Sequence, residues 1–120
     1  MAERRQERVG HLVQAELGRI LLEEAKDPRL QEVTITAVRM TPDLRVARVY
    51  VRNLAGPKAR EGTLRALDRA GHFLRGEVGR ALGMRVVPEL RFEYDGGLDA
   101  AWRVDELLAQ GGGDDEDDRS

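Results

Sequence analysis

The first apolar residues of the chain fall at Val9, Leu12, Val13, Leu17, Ile20 and Leu21, the three-and-four spacing that lines one face of an α-helix. This predicts a helix that starts between Glu3 and Arg8 and ends near Ala25 or Lys26, because Asp27 precedes a proline and is biased out of the helical region. Gly10 and Gly18 each weaken it by roughly 1 kcal/mol relative to alanine, so the buried stripe has to supply its stability. Asp27-Pro28-Arg29-Leu30 reads as a turn. At Val33 the period changes. The run from Val33 to Met40 is rich in β-branched residues and begins by alternating, with Val33, Ile35 and Ala37 on one face and Thr34 and Thr36 on the other. Thr41-Pro42-Asp43 supplies turn chemistry. A second strand over Leu44–Arg52 sets Ala47, Val49 and Val51 against Arg48, Tyr50 and Arg52, giving an antiparallel hairpin with one polar face.

Helical spacing returns after the loop around Gly56-Pro57, with Leu64, Leu67, Ala70, Leu74, Val78 and Leu82 in one stripe. Gly71, Gly76 and Gly79 interrupt it, which predicts two short helices, Arg60–Ala70 and Phe73–Leu82, joined by a kink at Ala70-Gly71-His72. Gly83 ends the second. The third strand, Arg85–Tyr94, places Val86, Pro88, Leu90, Phe92 and Tyr94 on one face, and Pro88 limits regular pairing before it. A turn at Asp95-Gly96-Gly97 and a short helix within Leu98–Leu108 follow. The order α-β-β-α-kink-α-β, with a right-handed helical crossover after a hairpin, implies an α+β domain whose three-stranded mixed sheet carries its helices on one face and leaves the other open.

Charge divides the chain in two. The 120 residues carry 20 Lys and Arg against 22 Asp and Glu, a formal charge of −2. Five of the acids, Asp114, Asp115, Glu116, Asp117 and Asp118, sit in the last ten residues together with Arg119. Removing those six groups leaves 19 basic and 17 acidic residues in 1–110, so this part is mildly basic. Residues 111–120 read as a disordered acidic tail and residues 1–110 as one folded domain. All but two of the domain's basic groups, Lys26 and Lys58, are arginines, whose forked donors suit phosphate.

Composition also removes classes of chemistry. There is no cysteine and hence no disulfide, thiolate metal site or thiol nucleophile, and the two histidines, His11 and His72, leave little for an imidazole site. Ser120, the last residue, is the only serine, which excludes triad chemistry. No glycine-rich phosphate loop follows a strand. No apolar run is long enough for a membrane span or signal peptide. The expectation is a cytoplasmic, monomeric, non-enzymatic protein with no cofactor, no small-molecule substrate and no membrane partner.

RNA binding fits better. Two helices joined at a glycine kink on a three-stranded sheet form the element set of a KH domain, which clamps a single strand at the start of the helix after the kink. Arg69, His72, Arg75 and Arg80 surround Ala70 and Gly71, and Arg85 follows the helix. Arg4, Arg5 and Arg8 form a second basic group. Arg75 and Arg85 are the first choices for phosphate contacts, although pairing with Glu77 or Glu89, or capping of a helix end, is the structural alternative for either. Phe73 and Phe92 are expected in the core. Tyr50, between Arg48 and Arg52, offers a ring on which a base could stack.

Arg8-Val9, Asp27-Pro28-Arg29-Leu30, Val33-Thr34-Ile35-Thr36, Asp43-Leu44 followed by Ala47-Arg48-Val49-Tyr50-Val51, Phe73-Leu74-Arg75, and the run Arg85 to Asp95 occur in an order and at spacings that resemble the ribosome-binding factor A family over about residues 4–108. The resemblance implies a type II KH-like fold without enzymatic activity. It implies binding to the free, immature small (30S) ribosomal subunit near its neck, and promotion of late folding and end processing of 16S ribosomal RNA. It further implies a link to growth in the cold and release aided by an assembly GTPase. The family replaces the usual GxxG clamp with an Ala-x-Gly kink; here Ala70-Gly71-His72 keeps the alanine and places the glycine one position early.

Overall fold

The structure, a computed structural model, describes residues 2–95. Helix α1, Ala2–Glu23, is followed by a single 3-10 turn, Pro28–Leu30, and then by strands β1, Val33–Met40, and β2, Val46–Asn53. A second 3-10 turn, Pro57–Ala59, leads into helix α2, Arg60–Leu82, and strand β3, Glu89–Tyr94, closes the described chain. The sheet order is β1-β2-β3, with β1 and β2 antiparallel and β2 and β3 parallel. The sheet is mixed, as expected from a hairpin followed by a helical crossover. The short C-terminal helix and the acidic tail expected from the sequence lie outside the described residues.

The apolar stripe of α1 enters the core through Val13, Leu17, Ile20 and Leu21, and meets Leu67, Leu74 and Val78 of α2 and Ala47, Val49 and Val51 of β2. Both helices cover the same sheet face, α1 lying chiefly on β1 and α2 chiefly on β3. Gly10 permits the approach of α1: a methyl group there would sit 2.9 Å from the Val38 carbonyl oxygen of β1. Two glutamines on α1 also cover the outer edge of that strand. Gln6 Nε2 donates to Met40 O at 3.0 Å and Gln14 Nε2 to Ile35 O at 3.3 Å, which occupies carbonyls that a bare sheet edge would offer to another chain.

Several expectations are corrected. Strand β1 does not alternate throughout; its register shifts between Ile35 and Ala37. The extra residue turns the inward set from Val33 and Ile35 to Val38 and Met40, and all four pack on the core while Ala37 does not. Strand β2 begins at Val46, two residues later than expected. Leu44 has φ of +60° and its N–H closes a turn onto Thr41 O at 2.8 Å, so it belongs to the hairpin loop while its side chain still touches the core. Strand β3 begins at Glu89. Val86 is 59% exposed and takes no part in the strand face, whereas Pro88 is fully buried at the strand entrance.

The largest correction concerns α2. The two helices expected on either side of Ala70-Gly71-His72 are one continuous helix from Arg60 to Leu82. Three glycines cost roughly 1 kcal/mol each, but Ala66, Leu67, Leu74 and Val78 are buried on both sides of Gly71, and tertiary burial of one face outweighs intrinsic propensity. Gly79 has a packing role: a Cβ there would lie 2.5 Å from Val87 Cγ2, so its bare backbone lets the chain ahead of β3 fold back onto the helix. Gly83, with φ of +61°, ends the helix in a left-handed cap, and Met84 N–H donates to Gly79 O at 3.0 Å. Phe73 is not a core residue. It is 43% exposed, whereas Phe92 packs against the core as expected.

At the opposite end of the sheet a small polar network holds the start of α2. The buried Thr63 hydroxyl accepts from Asn53 Nδ2 at 2.9 Å. Asn53 N–H donates to the Tyr94 hydroxyl at 3.1 Å, which in turn donates to Gly56 O at 3.3 Å. Tyr94 thus keeps its ring on the core and its hydroxyl on backbone partners.

Candidate nucleic-acid interface

Continuity of α2 rearranges the basic residues grouped about Ala70 and Gly71. Steps of four and three residues put Arg65, Arg69, His72, Gly76 and Arg80 on one line of the helix, and all four side chains are exposed. From Arg65 to Arg80 the line runs about 22 Å along the axis at 1.5 Å per residue. Arg69, His72 and Arg80 therefore form a ribbon instead of a ring around a break. Arg65 belongs to that ribbon and was not signalled by proximity to the glycines; its four-residue step from Arg69 finds it once the helix is known to be unbroken. Ala70 and Gly71 are half-buried beside the ribbon, with open space where a Gly71 side chain would lie.

The arginines are not equivalent. Arg75 sits beside the ribbon and donates from Nε to Pro88 O at 3.1 Å and from Nη2 to Val87 O at 2.8 Å. These two carbonyls belong to the connection into β3, so Arg75 fixes that connection to α2 while its residue surface stays exposed. Arg80 pairs with Glu77 one turn earlier, and this pairing holds the Glu77 carboxyl below the ordinary carboxylate range. Arg85 is exposed in the α2–β3 connection, and among the described residues neither Arg85 nor Arg69 makes an ion pair. The Asp27 carboxyl, next to the start of the 3-10 turn, is lowered mainly by the Arg29 side chain and N–H, with a smaller contribution from the nearby Arg69 charge.

Arg4, Arg5 and Arg8 are exposed on the first turns of α1. That end of the helix lies where the hairpin turns, since Gln6 reaches Met40. Helix α2 also ends there, because β3 enters the sheet with Glu89 beside Val46. Arg80, Arg85 and the α1 arginines thus share one end of the sheet, on the two flanking helices and the α2–β3 connection, while Arg69 and His72 lie nearer the middle of α2. A shallow groove between α1 and β1 opens at the same end, lined by Gln6, Glu7, His11, Gln14 and residues 36–40. Among the described residues no group of three metal-ligating side chains is present, and no helix is long and apolar enough to cross a membrane.

A mixed β1-β2-β3 sheet with an N-terminal helix, a hairpin and a helical crossover, covered on one face and carrying exposed arginines on both helices, defines a KH-like α+β domain. The family model described as ribosome-binding factor A matches residues 5–108. Ribosome-binding factor A of Staphylococcus carnosus is 38% identical over 108 residues, covering 90% of this chain and 94% of the relative. The chain belongs to the ribosome-binding factor A family. Among solved structures, the crystal structure of ribosome-binding factor A from Thermus thermophilus matches with a TM-score of 0.67 and 32% identity, covering 74% of this chain and 93% of that one. The solution structure of a Thermotoga maritima protein described as a putative ribosome binding factor A gives a TM-score of 0.61 and 35% identity, with coverages of 77% and 92%. A Thermus thermophilus homology model fitted into a cryo-electron microscopy map of a complex between the 30S subunit and this factor gives 0.53 and 40%, with coverages of 68% and 90%.

Proposed function

We propose that this protein binds the free, immature 30S subunit and promotes late folding and end processing of its 16S ribosomal RNA, acting by binding alone. The observation that carries the reading is membership of the ribosome-binding factor A family over residues 5–108, with a 30S-bound relative among its structural neighbours. The arginine ribbon supports it. Arg69, His72 and Arg80 on α2, Arg85 beyond it, and Arg4, Arg5 and Arg8 on α1 offer donors to RNA phosphates, with Ala70 and Gly71 providing a low surface beside them. Arg75 adds its exposed remainder while holding the α2–β3 connection. Binding energy that differs between two local RNA arrangements shifts their populations by that difference and no more, so a non-catalytic, monomeric factor can favour the mature arrangement.

The test is co-sedimentation with free small subunits and with assembled ribosomes. Selective association with the free subunit is expected, and equal association with both would overturn the reading. Arg69→Glu combined with Arg85→Glu should reduce subunit binding by at least tenfold with the fold retained and only a small drop in melting temperature, since neither side chain has an ion pair among the described residues and the Arg69 charge acts only weakly on Asp27. Wild-type binding by this variant would remove the ribbon from the interface. Arg75→Glu is a poorer probe, because it also removes two hydrogen bonds to backbone.

A further inference from the structure

The sheet face turned away from the helices carries an arrangement that the fold does not need. Arg39 pairs with Arg48 across β1 and β2, and Arg48 pairs with Arg91 across β2 and β3, so three arginines stand abreast across the whole sheet. Strand spacing of about 4.8 Å sets their backbones within about 10 Å. Like charges directly opposite one another oppose sheet formation. Two of the charges are partly answered on the face itself: Arg48 lies 3.7 Å from Glu93 and Arg91 lies 3.1 Å from Glu89. Arg39, and Arg52 two residues beyond Tyr50 on β2, have no ion pair among the described residues. Tyr50 stands between Arg48 and Arg52 on the same face, half-exposed, opposite Ala37. On its other side Tyr50 faces Glu93 of β3, the acid that lies near Arg48.

We propose that this face, which no described element covers, is a second RNA-contact surface, in which Arg39, Arg48, Arg52 and Arg91 hold the phosphates of a single strand and Tyr50 stacks on one of its bases. An anionic partner relieves the like-charge row, which is a local conflict with no gain for the fold alone. Guanidinium forks match phosphate oxygens in pairs. A ring flanked by cations on a flat sheet accepts the face of any unstacked base, which selects a single strand over a duplex. The proposal takes the nature of its partner from the reading of this chain as a ribosomal RNA binder, and adds a surface separate from the ribbon on α2.

The experiment measures affinity of the full chain for a fluorescent oligouridylate at several salt concentrations, alongside sedimentation with free small subunits. Arg39→Glu with Arg52→Glu should lower oligonucleotide affinity at least tenfold and flatten the salt dependence by about 0.7 in the log–log slope for each phosphate no longer held. Its melting temperature should be unchanged or higher, since the carboxylate introduced on β1 would face Arg48 across the strands. Lys58→Glu with Arg60→Glu, equal in charge but away from the sheet face, should change affinity less than threefold. Tyr50→Phe should bind as wild type, and Tyr50→Ala should lose at least fivefold. Equal losses in the sheet-face and control variants, or no loss in the first, would overturn the proposal. So would a face held by the chain's own acidic segment, revealed if truncation after Gln110 alters the melting temperature of the wild type only and neither sheet-face arginine affects RNA affinity. A chain that sediments with subunits but ignores the oligonucleotide would overturn the second surface alone, whereas one that binds the oligonucleotide but no subunit would overturn the subunit reading alone.

Discussion

Gly79 and Gly71 look alike in the sequence, two glycines in one helical stripe, yet they occupy opposite environments. A methyl group at Gly79 meets Val87 Cγ2 at 2.5 Å, whereas one at Gly71 meets nothing within 4 Å. Gly79→Ala should therefore destabilise the protein by about 1–3 kcal/mol through overpacking, and Gly79→Ala with Val87→Ala should recover part of the loss in urea unfolding. Gly71→Ala should stabilise by about 0.4–1 kcal/mol by restricting the unfolded chain. If Gly71→Ala gains stability and loses subunit binding, the glycine serves the interface. Charge at this scale is equally specific. The Asp43 carboxyl is lowered by the Thr41 hydroxyl and the Arg45 N–H, Asp27 by Arg29, and Glu77 by Arg80. Because each folded-state value lies below the unfolded one, the three contributions are complete above about pH 4, the ordinary carboxylate value, and are lost as the pH falls through the lowered values. Melting temperature should decline below about pH 4, and Glu77→Gln should make that decline shallower.

Among the elements, α1, the existence of the hairpin and the final strand beyond Pro88 were legible because each has an apolar face of regular period over most of its length. Two features were not. The shift in β1 is written as the spacing Val33, Ile35, Val38, Met40, but Val38 could equally have been assigned to the polar face until its packing on the core was known. The continuity of α2 was hidden because helix propensity is a local sum, and the burial of Leu67 and Leu74 on either side of Gly71 is not local. That continuity changes the candidate interface from a clamp at a break into a ribbon, and brings in Arg65. Arg65→Glu should weaken subunit binding about as much as Arg69→Glu does, measured by co-sedimentation, whereas a break-centred clamp would leave Arg65 without effect. The double hydrogen bond from Arg75 to Val87 O and Pro88 O was likewise invisible, since those partners lie 12 and 13 residues away.

At the scale of the whole molecule, the family match ends at residue 108 and the acidic run begins six residues later, at Asp114. A chain ending at Gln110 should melt within about 2 °C of the full chain, an expected shift of less than about 0.5 kcal/mol; a larger loss would place part of residues 111–120 within the fold. By itself the sequence determined the order of the strands and the helical stretches between them, though not the continuity of α2, together with the helix-covered sheet, the lack of cysteine and the split in charge between residues 1–110 and the acidic end, because periodicity and composition are local and need no partner. Only the tertiary structure decided which glycine is held by packing, which arginine is committed to backbone and which three arginines stand abreast across the sheet. Those are properties of neighbours in space, and registers between strands and contacts between helix and sheet arise only when every buried face is satisfied together.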